Sequence, residues 1–189
     1  MKEILYIHGL KRGDNSTESR TATILRNALD SQKYCVYAPT FPADGVRALE
    51  LAREIISEEK IDVVVGSSLG GFTALGLRGI PKIVINPCLR PDIELPKRGN
   101  AGVAHSYSKL IDSLWDDISL EDRKETFGIF SDNDELFSYK DEYVKHYSIV
   151  TDIKDGHRIS EENVREVVAA FVEVIFDLKE IKKIRNGLA

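Results

Sequence analysis

The most constraining stretch of the chain is Ile61-Asp62-Val63-Val64-Val65, a nearly unbroken apolar run that ends in Gly66-Ser67-Ser68-Leu69-Gly70-Gly71. Successive side chains of a strand point to opposite faces, so a run that is apolar at almost every position must be covered on both. Consecutive valines suit a pleated, packed surface. The glycines break the strand, and residues 69–77 resume with the character of a helix. A doubly buried strand that passes straight into a helix belongs to a parallel sheet layered between helices.

The rest of the chain keeps this rhythm. Ile4 to Ile7 is a short apolar run closed by His8-Gly9. Thr21 to Leu29 has helical spacing, Tyr34 to Tyr37 is β-prone and stops before Pro39, and Val46 to Ile56 is amphipathic. Lys82 to Ile85 is a strand stopped by Asn86-Pro87, and Phe127 to Phe130 and Tyr147 to Val150 read as two more. The last helix carries Val164, Val167, Val168, Phe171, Val172 and Ile175 as one stripe, with Ser160 at its cap and Glu161 and Glu162 in its first turn. About six mostly parallel strands joined by right-handed crossovers, with helices on both faces, are expected in a single α/β domain over residues 1–189. Residues 87–125 interrupt the alternation with Pro87, Pro91, Pro96, Gly99 and Gly102 and then Leu110, Leu114 and Trp115. An excursion of that length between core strands is expected to act as a lid-like binding segment.

Composition narrows the classes. With 42% hydrophobic and 30% charged residues the chain is an ordinary globular one. A net charge of -5 argues against a nucleic-acid binder, and the one dense basic cluster, Lys182-Lys183-Ile184-Arg185, suits a solvated helix end. No stretch is apolar for long enough to span a membrane. Met1 leads directly into strand, which leaves no place for a signal peptide, and Cys35 and Cys88 read as reduced, packed thiols. A cytoplasmic protein is expected. No metal-binding pattern is present, so neither a metal nor another cofactor is called for.

In a parallel sheet, ligands bind beyond the carboxyl ends of the strands. His8-Gly9-Leu10 follows the first strand, Gly66 to Gly71 the third, Asp132, Asp134 and Glu135 the fifth, and Asp155-Gly156-His157 the sixth. A serine, an acid and a histidine therefore arrive at one edge in the chain order of α/β-hydrolases. Gly66-x-Ser68-x-Gly70 has the spacing of a nucleophile elbow, where glycines let strand and helix approach around a strained serine. The Lys-Ser/Thr pair of a phosphate-binding loop is missing. Ser67, the second residue of the motif, should point away from the cleft.

A serine hydroxyl needs a base. Of the four histidines, His157 lies in a loop at the active edge, His8 is held in the turn after the first strand, and His105 and His146 read as surface residues. The acid that orients the base is Asp134 or its rival Asp132, with Glu135 less suitable and Asp155 too near His157 in sequence. Asp132, between Ser131 and Asn133, also suits a turn-capping role. The oxyanion donors should be the backbone N–H groups of Leu69 and Leu10. His8, Gly9 and Trp115 are the candidate substrate contacts, with Trp115 supplying an apolar wall from the excursion.

Ile4-Leu5-Tyr6-Ile7-His8-Gly9, Pro39-Thr40, Gly66-Ser67-Ser68-Leu69-Gly70-Gly71-Phe72 and Ile85-Asn86-Pro87 resemble the small bacterial YqiA-like esterases, a family of the α/β-hydrolase superfamily. The resemblance runs from residue 4 to the histidine loop. It implies a carboxylesterase or thioesterase acting on a small-molecule ester or acyl-CoA-like substrate, with Ser68, Asp134 and His157 as triad and Asp134-Glu135 and Tyr139 matching the family's acid block. Leu10 stands where the family often has an aromatic residue. Two other readings compete: an α/β-hydrolase-fold binding or interaction protein that acts without catalysis, and a triad enzyme doing acyl transfer or C–C cleavage.

Overall fold

The computed structural model describes residues 1–10 and 19–187. Six strands form one parallel sheet: β1 (Lys2–Ile7), β2 (Tyr34–Tyr37), β3 (Val63–Ser67), β4 (Lys82–Ile85), β5 (Thr126–Ser131) and β6 (Ile149–Ile153). Their spatial order is β2-β1-β3-β4-β5-β6. The chain first builds outward from β1 to β2, then crosses back to β3 and builds the other way. The reversal between β1 and β3 opens a crevice at their carboxyl ends.

The apolar runs divide between two cores by the strand period. Ile4, Tyr6, Val63, Val65, Ile83, Ile85, Phe127 and Ile129 face one layer. Leu5, Ile7, Val64, Val84 and Phe130 face the other. The first layer is covered by α1 (Arg20–Ala28) and the C-terminal helix. The second is covered by α2 (Gly45–Glu58), α3 (Leu69–Leu75) and the excursion after β4.

Local capping starts these helices where the sequence allows. Asp44 accepts the Arg47 N–H at 3.0 Å to begin α2, and Ser160 accepts the Asn163 N–H at 3.2 Å to begin the C-terminal helix. That helix runs from Glu161–Asn163 through a π-helical turn at Val164–Val168 into Ala169–Gly187. Lys182, in the basic cluster, pairs with Glu121 and Glu125 on the surface.

Residues 87–125 fold into α4 (Pro91–Lys97), α5 (Ala101–Ala104), a 3-10 turn at His105–Tyr107, α6 (Ser108–Asp112) and α7 (Leu120–Lys124). Leu89, Leu95, Tyr107 and Leu114 are buried in the same core as α2 and α3. The segment begins beside β4 at the carboxyl edge and reaches the amino edge before β5. After β5 comes the short α8 (Lys140–Tyr143). β6 differs from the expected Tyr147–Val150 span. Tyr147 is instead a buried ring packed against Tyr143, and the strand continues through Thr151, Asp152 and Ile153. As an edge strand β6 is half-exposed along most of its length, so its polar residues hid it from a search for apolar runs.

Candidate active site

The site forms where β3, β5 and β6 end. β3 passes through Ser68 directly into α3, and the turn forces Ser68 to φ 54° and ψ -117°. This left-handed backbone is rare for a residue with a side chain, and strain of this kind concentrates at functional sites. The elbow needs Gly70, because a Cβ there would lie 2.1 Å from the Ile7 carbonyl oxygen. Gly9 is needed for the same steric reason: a Cβ would come within 2.9 Å of the Ser68 Cβ and 3.4 Å of its Oγ. The serine hydroxyl and the β1 loop are thus pressed together.

His157 lies between the serine and a carboxylate. Its Nε2 is 3.0 Å from Ser68 Oγ and its Nδ1 is 2.8 Å from Asp134 Oδ2. A carboxylate can only accept here, so Nδ1 carries the proton and Nε2 is left as the acceptor facing the hydroxyl. Both side chains are nearly buried, at 9% and 3% exposed. Burial alone would raise the Asp134 carboxyl. The hydrogen bond from His157 and the N–H groups of Leu136 (2.9 Å) and Phe137 (3.1 Å) on Oδ1 outweigh it and hold the group below the usual carboxylate range. Asp134 is therefore a fixed anion aimed at the imidazole. The Phe137 ring stands edge-on to His157, with centroids 4.8 Å apart.

The rival acids do other work. Asp132 accepts the Asp155 N–H at 3.1 Å and so ties the β5 turn to the histidine loop. Asp155 accepts the Ser160 and Gly156 N–H groups and the Asn163 amide. Glu135 accepts the His157 backbone N–H at 2.8 Å. Ser67 points to the opposite face, with its Oγ 2.8 Å from the Tyr6 hydroxyl.

Two residues of the site carried little signal in the sequence. Asn86, expected only to end β4, is buried at φ 43°. It accepts the Ser131 N–H at 2.8 Å and donates its amide to Ser131 Oγ at 2.8 Å and to the His157 carbonyl at 3.2 Å. It thereby pins the histidine loop to the ends of β4 and β5. The Asn-Pro pair after a strand was the available hint. Cys88 is the other: its N–H reaches the Ser68 carbonyl at 2.9 Å, while burial pushes its thiol up to about 12 and leaves it unreactive.

Leu69 opens α3, whose first N–H groups have no partner within the helix. Leu10, Gly9 and Leu69 together line a cavity of about 110 Å³ beside the serine. His8 also lines it, but both its ring nitrogens are engaged: Nε2 accepts the Phe41 N–H at 2.9 Å, so the proton is on Nδ1, 2.6 Å from the Gly9 carbonyl. Trp115 is placed elsewhere. Its ring stacks on His146 at 4.0 Å and meets Tyr147 edge-on, both of which precede β6 at the amino edge of the sheet. The excursion runs across the face of the sheet, so Trp115 ends at the edge opposite the strand ends that carry Ser68. Among the described residues no cluster of His, Cys, Asp and Glu is arranged to hold a metal ion, and no helix is long and apolar enough to cross a membrane.

A family model described as "Uncharacterised protein family (UPF0227)" matches residues 3–175. The chain belongs to that family, the YqiA-like one. No curated protein matches it in sequence. Among solved structures it is similar to Est1E from Butyrivibrio proteoclasticus, at 15% identity and a TM-score of 0.67, covering 93% of this chain and 88% of that one. It is similar also to the esterase domain of a Rhodothermus marinus protein, at 14% identity and a TM-score of 0.61 over 90% and 85% of the two chains. A predicted CIB-like hydrolase from Thermoplasma acidophilum matches at 17% identity and a TM-score of 0.59 over 95% and 86%. The UPF0227 chain has the α/β-hydrolase fold.

Proposed function

We propose that this UPF0227 protein is a serine hydrolase that cleaves carboxylic esters or acyl thioesters through an acyl-enzyme. The observation that carries the reading is His157 bridging Asp134 at 2.8 Å and Ser68 at 3.0 Å, on a strained elbow. Ser68 Oγ attacks the substrate carbonyl carbon while Nε2 of His157 takes its proton. Asp134 holds the tautomer and stabilises the imidazolium. The negative oxygen of the tetrahedral intermediate turns to the N–H groups of Leu69 and Leu10. As the intermediate collapses, His157 returns the proton to the departing alcohol or thiol, leaving the acyl group on Ser68. A water then gives its proton to His157 and attacks, releasing the acid and restoring the serine. The similar solved structures, an esterase domain among them, support this class of reaction.

The test is covalent labelling with a fluorophosphonate probe alongside hydrolysis of 4-nitrophenyl and acyl-CoA esters. Wild type should label at Ser68 and turn over at least one substrate class. A folded wild-type protein that neither labels nor hydrolyses would leave the α/β-hydrolase-fold binding protein as the surviving reading.

A further inference from the structure

We infer that the cavity beside Ser68 is an acyl pocket for short chains, closed at its far end by Tyr107. The inference rests on the proposed hydrolase reading and adds the substrate class.

The chemistry of the triad fixes where the acyl chain must go. The leaving oxygen or sulfur has to face His157 Nε2 to receive its proton, and His157 and Asp134 come from the β5 and β6 side of Ser68. The carbonyl oxygen turns to Leu10 and Leu69. The remaining substituent, the acyl chain, is left to point toward β1 and β2. The cavity lies on that side. It is lined by Leu10, Phe41, Pro42, Ala48, Thr73 and Tyr107 among others, and begins at Gly9 and Leu69 next to the serine. Its walls are mainly apolar, as an acyl chain requires.

Size then selects the chain. An apolar cavity of about 150 Å³ holds a benzene ring, and on that scale a cavity of about 110 Å³ holds about four carbons beyond the carbonyl. Butyryl and pentanoyl groups fill it. A longer chain meets Tyr107, which is fully buried. The Tyr107 hydroxyl donates to the Ala43 carbonyl at 2.9 Å and its ring stands edge-on to Phe72 at 5.3 Å, so the stop is held from two sides. Beyond the wall lies a second cavity of about 320 Å³, lined by Leu49, Phe72, Thr73, Gly76, Leu110 and Leu114 among others. Thr73 borders both cavities. Removing the Tyr107 ring should join them.

The experiment measures kcat/KM for 4-nitrophenyl acetate, butyrate and octanoate, with fluorophosphonate labelling as a separate readout of Ser68. Wild type should favour butyrate over octanoate at least tenfold. Tyr107→Ala should raise the octanoate-to-butyrate ratio at least tenfold. Because that variant removes a buried ring, Ala48→Leu supplies an independent arm: it fills the cavity from α2 and should lower the butyrate-to-acetate ratio at least tenfold. A labelled wild type that prefers octanoate, or a labelled Ala48→Leu with an unchanged ratio, overturns the pocket and leaves the hydrolase reading standing. Failure of Ser68 to label in folded wild type overturns both.

Discussion

Two edges of the same sheet each bury a carboxylate against a basic side chain. At the carboxyl edge Asp134 takes the N–H groups of Leu136 and Phe137 and the Nδ1 proton of His157. At the amino edge Asp122 takes the N–H of Gly79, the ammonium of Lys82 at 3.4 Å, and both the N–H and the hydroxyl of Ser119. Both carboxyls would be raised by burial, and both are held below the usual range by those hydrogen bonds. The difference lies in what stands behind the base. Lys82 is fully buried and its pair with Asp122 is a closed structural knot. His157 has a second nitrogen, which reaches the strained Ser68 hydroxyl, next to the Gly9 and Leu69 that line a cavity. A buried carboxylate in itself marks nothing; the proposed mechanism rests on a base held between a carboxylate and a serine hydroxyl.

The largest expected effect separates the edges by rate. Ser68→Ala should abolish ester hydrolysis and labelling. Asp134→Asn should keep the shape but present a donor to the imidazole, costing about 10⁴ in kcat with little change in KM. Asp132→Asn should leave kcat within about threefold, since Asp132 braces the loop rather than the imidazole. Steady-state kinetics on the three variants decide this, and an Asp132→Asn enzyme as slow as Asp134→Asn would reassign the acid.

The next effect is on stability. Asp122→Ala strands Lys82 without its partner and should cost about 3–5 kcal/mol. Adding Lys82→Met should recover part of that loss, because an apolar side chain of similar length removes the buried cation. Urea unfolding of the single and double variants measures both. A double variant no more stable than Asp122→Ala would mean that Asp122 acts through Ser119 and Gly79 alone.

A pH experiment sharpens the same contrast. Burial, opposed by Asp122, lowers Lys82 from 10.5 to about 8. Between those values the unfolded chain binds the extra proton, so stability rises with pH across the window, and the cost of the buried cation is fully present below about 8. Lys82→Met removes this dependence. Relative to wild type it should therefore be more favourable at pH 7 than at pH 10, by about 1–3 kcal/mol. A difference that is flat or grows toward pH 10 would show that the lysine stays charged through the window.

What could be read in the sequence follows from the range of the forces involved. The strand period is local, so Val63-Val64-Val65 announced a sheet covered on both faces, and the two cores divide along that alternation. Ser68, Asp134 and His157 each come directly after a strand, so in a parallel sheet one rule of topology gathered them at one edge. Long-range contacts were not legible. Asn86 bonds to groups 45 and 71 residues away, and only the folded register brings them within reach. β6 was misplaced because an edge strand needs apolar residues on little of its surface. Trp115 was expected near substrate because its segment leaves β4 at the active edge, but sequence carries no measure of how far such a segment travels across a sheet.

Trp115 gives the smallest expected effect and the cleanest separation of the edges. Its ring lies flat on His146, parallel within 2°, and meets Tyr147 at 6.2 Å. His146 in turn accepts the Arg123 guanidinium on its carbonyl at 2.5 Å, which ties this aromatic cluster to α7 just before β5. Nothing in this arrangement faces Ser68 or the small cavity. Trp115→Ala should therefore cost about 1–2 kcal/mol through lost stacking and burial. It should leave the octanoate-to-butyrate ratio within about twofold of wild type, because a packing defect at the amino edge alters how much protein is folded, and that factor cancels in a ratio of two substrates on one preparation. A lid role for the tryptophan makes the opposite forecast: the ratio moves while the melting temperature does not. Measuring both quantities on the same variant separates them, and a shifted ratio would return Trp115 to the substrate's path.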